Sequence, residues 1–249
     1  MVCCAGEACR GDGRRVAFDF MNDPQTIASP QQPYACLWTP DAIAIDGKVD
    51  EKAWKRTSPI TDFYVAGSTK RATSRTTARL LWSDTHLYFS AEMEDADVYG
   101  LHEGHDPPFG GDDVIELFVK PSRTDPFYWE FHVTPRGATR DYFYARRGAG
   151  PNERWIAYNS GMRAAVTVDG TLNRWEDRDA GWIAEVAIPW TAFERMGGRP
   201  KEGDAWTFMV ARYDYSVHLE EGIELSASSI LPKENFHLFE HYQDMGFIK

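Results

Sequence analysis

With 249 residues, 43% hydrophobic and 14% aromatic, the chain has enough apolar content for one large β domain or two small ones. Its net charge of −11 disfavours partners that demand a basic face, so nucleic-acid backbones and anionic membrane surfaces are set aside and neutral ligands remain. No apolar run approaches the roughly 20 residues of a membrane-spanning helix, and the opening MVCCAGEACRG lacks the apolar segment of a signal peptide. The expectation is a cytoplasmic chain, or a secreted or periplasmic one whose leader has been removed.

In chain order, residues 1–33 are rich in Gly, Pro, Asp and Gln with little periodicity, and are predicted to be a partly ordered extension that adds little to the core. All four cysteines, Cys3, Cys4, Cys9 and Cys36, fall at this end. Their spacing matches no common zinc pattern, and a Cys9–Cys36 disulfide is allowed. A single domain is expected over 34–249. Within IDGKVDE, Asp46, Asp50 and Glu51 suit a turn leading into an N-capped helix.

Short apolar or alternating runs then follow one another: CLWTPDAIAID, TTARLLWS, HLYFSAEME, DVIELFVK, FYWEFHVT, RDYFYAR, MRAAVTV, WIAEVAIPW, AWTFMVARYD and the terminal MGFIK. Turn-like segments such as SDTH, TPRGAT and GGRPKEG separate them, and only DEKAWKR and WTAFERM suggest short helices. About ten strands with so little helix predict an all-β fold, an antiparallel β-sandwich of immunoglobulin-like or jelly-roll-like type with short helices. Trp54, Trp82, Trp182 and Trp206 are spaced as core residues. Glu185, in the middle of an apolar strand, is costly to bury alone and is expected to pair with Arg212. P-loop, GxGxxG, HExxH and GxSxG motifs are absent from the sequence.

Alternation assigns faces to the strands, because successive side chains point to opposite sides. In DVIELFVK, Ile115, Leu117 and Val119 share one face, and Val114, Glu116 and Phe118 share the other. In FYWEFHVT, Trp129, Phe131 and Val133 oppose Tyr128, Glu130 and His132. If these strands are neighbours with RDYFYAR, the second faces assemble Glu116, Glu130, His132, Tyr142 and Tyr144. Carboxylate, imidazole and aromatic groups together suit a sugar, which presents hydroxyls around patches of C–H. An ordinary solvated outer face is the alternative on alternation alone.

IDGKVDEKAW (45–54), ARLLWSDTHLYFSAEMEDADV (78–98), GDDVIELFVKP (111–121), YWEFHVTPRGATRD (128–141), GWIAEVAIPW (181–190) and NFHLFEHYQDMGFIK (235–249), in this order, resemble the family 9 carbohydrate-binding modules. The resemblance implies a β-sandwich that binds a mono-, oligo- or polysaccharide without cleaving it. It also implies which residues do so. Xylanase-associated members clamp a terminal sugar between two tryptophans with help from a glutamate and an arginine. Here Glu116 matches the glutamate, His132 stands where the arginine would be, and Phe109 and Phe236 fall near the tryptophan positions, with His237 beside the latter. Both tryptophans are thus replaced and the arginine is lost, so sugar preference does not carry over. Structural calcium is implied as well, with Asp95 and Asp113 the leading ligands among Asp95, Asp97, Asp112 and Asp113. Two alternatives come from other classes. Glu116, Glu130 and His132 suit acid/base chemistry on a glycan. A haem-binding, DOMON-like electron-transfer domain would use His102, His105, His237, Met93 or Met209 as axial ligands.

Overall fold

The computed structural model describes residues 32–108, 110–149 and 158–249, so nearly all of the expected extension, and Phe109 with it, lies outside the described residues. The strands are β1 (Tyr34–Trp38), β2 (Tyr64–Val65), β3 (Thr76–Trp82), β4 (His86–Glu94), β5 (Val114–Lys120), β6 (Tyr128–Val133), β7 (Thr139–Tyr144), β8 (Arg163–Asp169), β9 (Gly181–Pro189), β10 (Ala205–Tyr215), β11 (Ile223–Ala227) and β12 (Gln243–Ile248). The expected short helices are 3-10 turns at Trp54–Arg56 and Trp190–Phe193, joined by a third at Phe239–His241. The first has Ala53 at its N-terminus and no side-chain cap, so the anticipated N-capped helix is not formed. Instead Asp46 and Glu51 close the preceding loop, accepting from the Lys48 and Ala44 amides at 3.1 and 3.0 Å.

The strands form one hydrogen-bonded path, β7-β6-β5-β10-β12-β1-β3-β4-β9-β8, with β11 on β10 and β2 on β11. This path folds over into a sandwich. β1 runs parallel to both β12 and β3 and joins two otherwise antiparallel halves, a departure from the purely antiparallel expectation. β2 and β11 were not expected. One is two residues long, and the other presents three half-exposed residues with no clear alternation.

Alternation drives the closure. Ile115, Leu117 and Val119 on β5, Trp129, Phe131 and Val133 on β6, and Trp182, Ala184, Val186 and Ile188 on β9 all enter one apolar cluster between the halves. Trp82, Trp182 and Trp206 join it, while Trp54 seals a smaller cluster under the 39–56 loop, so all four tryptophans are core residues. Trp206 meets Phe247 and Phe193 edge-on at 5.1 and 5.2 Å, contacts of a kind worth about 0.5–1.5 kcal/mol each beyond their buried area.

The same alternation overturns the expected pairing of Glu185 with Arg212. Glu185 lies between Ala184 and Val186, both core-facing, so it points to the outer side of its sheet; Arg212 lies beyond Val210 on the inner side of β10. The two therefore find other partners. Glu185 accepts from Trp54 Nε1 at 3.0 Å and from the Asp46 and Gly47 amides at 3.1 and 3.3 Å, pinning the 39–56 loop to β9. Gly47 sits at φ +81°, and a Cβ there would approach Val166 C and Thr167 Oγ1 to 2.9 Å, so this turn requires glycine. Arg212 reaches Asp95 Oδ2 at 3.0 Å and Asp214 Oδ2 at 3.3 Å, with both of its partners buried.

Two outcomes are expected. Replacing Arg212 by Met leaves buried carboxylates without their cation and should lower unfolding free energy by about 3–5 kcal/mol in denaturant titrations; an unchanged midpoint would contradict the pairing. Burial pushes the Glu185 carboxyl from 4.5 up to about 7, against the pull of its donors. The folded state then holds this proton more tightly than the unfolded state, so the contribution of Glu185 to stability falls as pH rises from 4.5 to 7. The melting-temperature gap between parent and Glu185→Gln should shrink over that window, and a gap that widens with pH would refute the assignment.

Candidate functional site

The second face of β5, β6, β7 and β10 is not a solvated surface. Phe118, Tyr128, Tyr144, Met209, Leu231, Phe236 and Tyr242 form a separate apolar cluster there, with the 231–242 segment laid across the strands. Glu116, Glu130 and His132 are consequently buried, at 1%, 5% and 3% exposure.

Register brings these three together. Glu116 stands directly opposite His132 across the β5–β6 ladder, and Glu130 lies two residues before His132 on the same face. His132 Nε2 is 3.3 Å from Glu116 Oε1 and hydrogen-bonds Glu130 Oε1. Burial pushes the Glu116 carboxyl up to about 8, with His132 opposing and the Glu130 charge reinforcing the rise. For Glu130, burial is outweighed by His132, and its carboxyl is held below the ordinary range. For His132, burial is likewise outweighed by the two carboxylates, which raise the imidazole.

The expected companions lie around this trio. Tyr142 sits edge-on to His132 with ring centres 5.6 Å apart. His237 accepts from or donates to the Tyr128 hydroxyl at 3.0 Å and comes within 4.0 Å of Glu130 Oε2. Phe236 packs against Tyr213 at 5.5 Å and Phe118 at 6.3 Å and is only 5% exposed. A cavity of about 210 Å³ opens beside them, lined by Glu116, Phe118, Glu130, Tyr213, Leu225, Glu234, Asn235, Phe236 and His237. Among the described residues nothing donates a hydrogen bond to Glu116 Oε2. A narrower cleft beside His132 runs between Arg140, Val114 and Pro107 and Pro108.

Sequence reasoning missed Tyr213 and Leu225. Tyr213 had a usable sign, since Arg212 and Asp214 alternate with Tyr213 and Tyr215 in ARYDY and two faces are therefore in play. Leu225 had none, because β11 itself is cryptic.

The acidic residues separate into two kinds. Asp112 accepts from the Leu101 and His102 amides and from the His102 ring, and Asp97 accepts from Ser216 Oγ and the Val217 amide, so both serve to shape loops. Asp95 and Asp113 do come together, with Asp214 as an unforeseen third member, and one oxygen of each lies within 4.8 Å of the others. Arg-x-Asp spacing in β10 places Asp214 on the same side as Arg212, which is the sign that could have found it. Burial raises all three carboxyls, Asp95 to about 6, while Arg212 pulls each back. Of the haem candidates, Met93 and Met209 pack in different clusters, and His102 is held by Asp112.

A larger cavity, about 490 Å³, lies on the other half of the sandwich among Arg75, Glu92, Glu94, Thr167 and Asp169. Its one lining aromatic, Trp182, is a core residue at 1% exposure. It offers charge without a ring on which a sugar could stack.

The chain is 28% identical over 174 residues, 69% of its length, to the exoglucanase XynX of Acetivibrio thermocellus, and spans 14% of that protein. Among solved structures it is similar to a carbohydrate binding module family 9 from Caldicellulosiruptor kristjanssonii in complex with cellotriose. The identity is 13%, the TM-score 0.56, and 87% of this chain and 94% of that one are covered. A putative carbohydrate-binding protein from Bacteroides uniformis shares the fold at 13% identity and a TM-score of 0.61, over 87% of this chain and 99% of that one. A family model described as carbohydrate family 9 binding domain-like matches residues 45–230. With most of its length matched, the chain belongs to the carbohydrate family 9 binding domain-like family.

Proposed function

We propose that the chain binds a saccharide, at a chain end and without cleaving it, in the cavity between Glu116, Glu130, Tyr213 and Phe236. The observation that carries this reading is Glu116 Oε2, a carboxyl oxygen that accepts no hydrogen bond from the described residues, at a residue 1% exposed, lining a cavity with aromatic walls. A buried acceptor left without a donor costs about 1–3 kcal/mol, and a sugar hydroxyl supplies the donor. Tyr213 and Phe236 supply aromatic rings for the C–H patches, and Asn235 and Glu234 add polar contacts. The cellotriose held by the Caldicellulosiruptor module makes β-glucans the first ligands to try.

Cleavage is the less favoured reading. Glycoside hydrolysis wants its carboxyl groups roughly 5–5.5 Å or 6.5–9.5 Å apart astride the bond. Glu116 and Glu130 instead both bear on His132 between them, which engages the two carboxyl groups in one buried cluster.

Calorimetry with glucose and cellotriose tests the binding reading. Glu116→Gln should weaken binding about tenfold, about 1.4 kcal/mol, because an amide NH2 replaces one of the two carboxyl oxygens at nearly constant shape. Because Phe236 is packed in the second cluster, Phe236→Leu is the fitting change, and loss of its ring should cost on the order of 1–2 kcal/mol of binding. Parent-like affinity in both natively melting variants would place the site elsewhere.

We further propose that Asp95, Asp113 and Asp214 hold a structural calcium ion. The donor set fits: three buried carboxylates face one guanidinium, and one oxygen of each lies within 4.8 Å of the others. Hard oxygen ligands of this kind suit calcium. Chelation should lower the melting temperature and added calcium restore it, since an ion that binds only the folded state stabilises it by mass action. An identical transition in chelator would argue against the ion.

A further inference from the structure

We propose that Glu116, Glu130 and His132 bind a divalent transition-metal ion of the zinc class, leaving an open coordination position toward the cavity. Only the occupant of that open position, a saccharide hydroxyl, rests on the saccharide reading; the ion site stands on its own geometry.

The β5–β6 register aims the three side chains at one point, and one ligand atom from each lies within 4.8 Å of the others. Zinc–ligand distances of roughly 2.0–2.2 Å in a tetrahedron put neighbouring donor atoms about 3.3 Å apart. His132 Nε2 and Glu116 Oε1 are 3.3 Å apart already. Glu116 Oε2, at a residue 1% exposed, accepts no hydrogen bond among the described residues, so the set contains a buried carboxyl oxygen that the protein leaves unpartnered. Two carboxylates outnumber one imidazole. Of the further cation candidates, His237 is 4.0 Å from Glu130 Oε2 and is engaged with the Tyr128 hydroxyl, and Arg140, opposite His132 across the β6–β7 ladder, donates to the Tyr142 hydroxyl at 3.1 Å. Tyr142, edge-on to His132, fixes the ring orientation from the flank.

Ligand type sorts this site from the Asp95–Asp113–Asp214 set. The latter is all oxygen and suits calcium, whereas an imidazole nitrogen among carboxylates favours zinc and its neighbours. Three protein ligands with a fourth side facing a cavity is the pattern of an open rather than a closed zinc site. Glu116, Glu130 and His237 line that cavity, so the open position faces the proposed sugar.

The test is a calorimetric titration of metal-stripped full-length protein with Zn²⁺ in excess Ca²⁺, which occupies the all-oxygen site. One zinc per chain should bind at this site, at least tenfold more weakly in Glu116→Gln and in His132→Gln, and unchanged in Asp113→Asn. Glu130→Gln stands in if either variant melts abnormally. Co²⁺ absorption gives a readout of tetrahedral nitrogen–oxygen coordination in the unaltered protein. No stoichiometric zinc, or zinc that all of these variants retain, as the amino-terminal cysteines would hold it, overturns the site. A parallel cellotriose titration, with zinc and with chelator, separates the two readings. Saccharide binding without zinc binding removes the ion and leaves the saccharide site, and zinc binding without saccharide binding does the reverse.

Discussion

Burial of both faces of β5, β6 and β10 is the constraint on which the rest of the molecule depends. One face closes the sandwich core, and the other is covered by the 231–242 segment and β11. Every polar side chain on these strands therefore lies in a medium where an unpaired charge is expensive, and each needs a partner within reach. His132 between two glutamates and Arg212 among three aspartates are two solutions to that demand. In both, the number of acids exceeds the number of bases. That imbalance separates these clusters from ordinary buried ion pairs, and it leaves acceptor atoms available for a ligand.

Much of this architecture is legible in the sequence because period-two alternation is strict. Ile115-x-Leu117-x-Val119 and Trp129-x-Phe131-x-Val133 announce the core face, and the interleaved Glu116, Glu130 and His132 follow on the other. Alternation says which residues share a face but not what covers it, and the covering segment lies over a hundred residues away in the chain. The burial of the trio, its mutual contacts and the cavity were thus beyond reach, as was the membership of Tyr213 and Leu225.

The Glu185 error has the same origin. A buried acid and a buried base were matched by composition, whereas strand parity places them on opposite sides of their sheets. Three donors from a loop over a hundred residues upstream, including two backbone amides, satisfy Glu185, and backbone amides leave no trace in a residue list. Asp214 was recoverable in principle, since it repeats two residues after Arg212 on the same face. β1 was not, because its parallel pairing depends on where the chain returns rather than on what it contains.

The proposed saccharide site is the 210 Å³ cavity beside Glu116, in preference to the larger 490 Å³ groove on the other half. Amide and aromatic chemical-shift mapping during a cellotriose titration distinguishes them directly. Perturbations should centre on Tyr213, Asn235, Phe236 and His237. Perturbations confined to Thr77, Glu92, Thr167 and Ile183 would contradict the account.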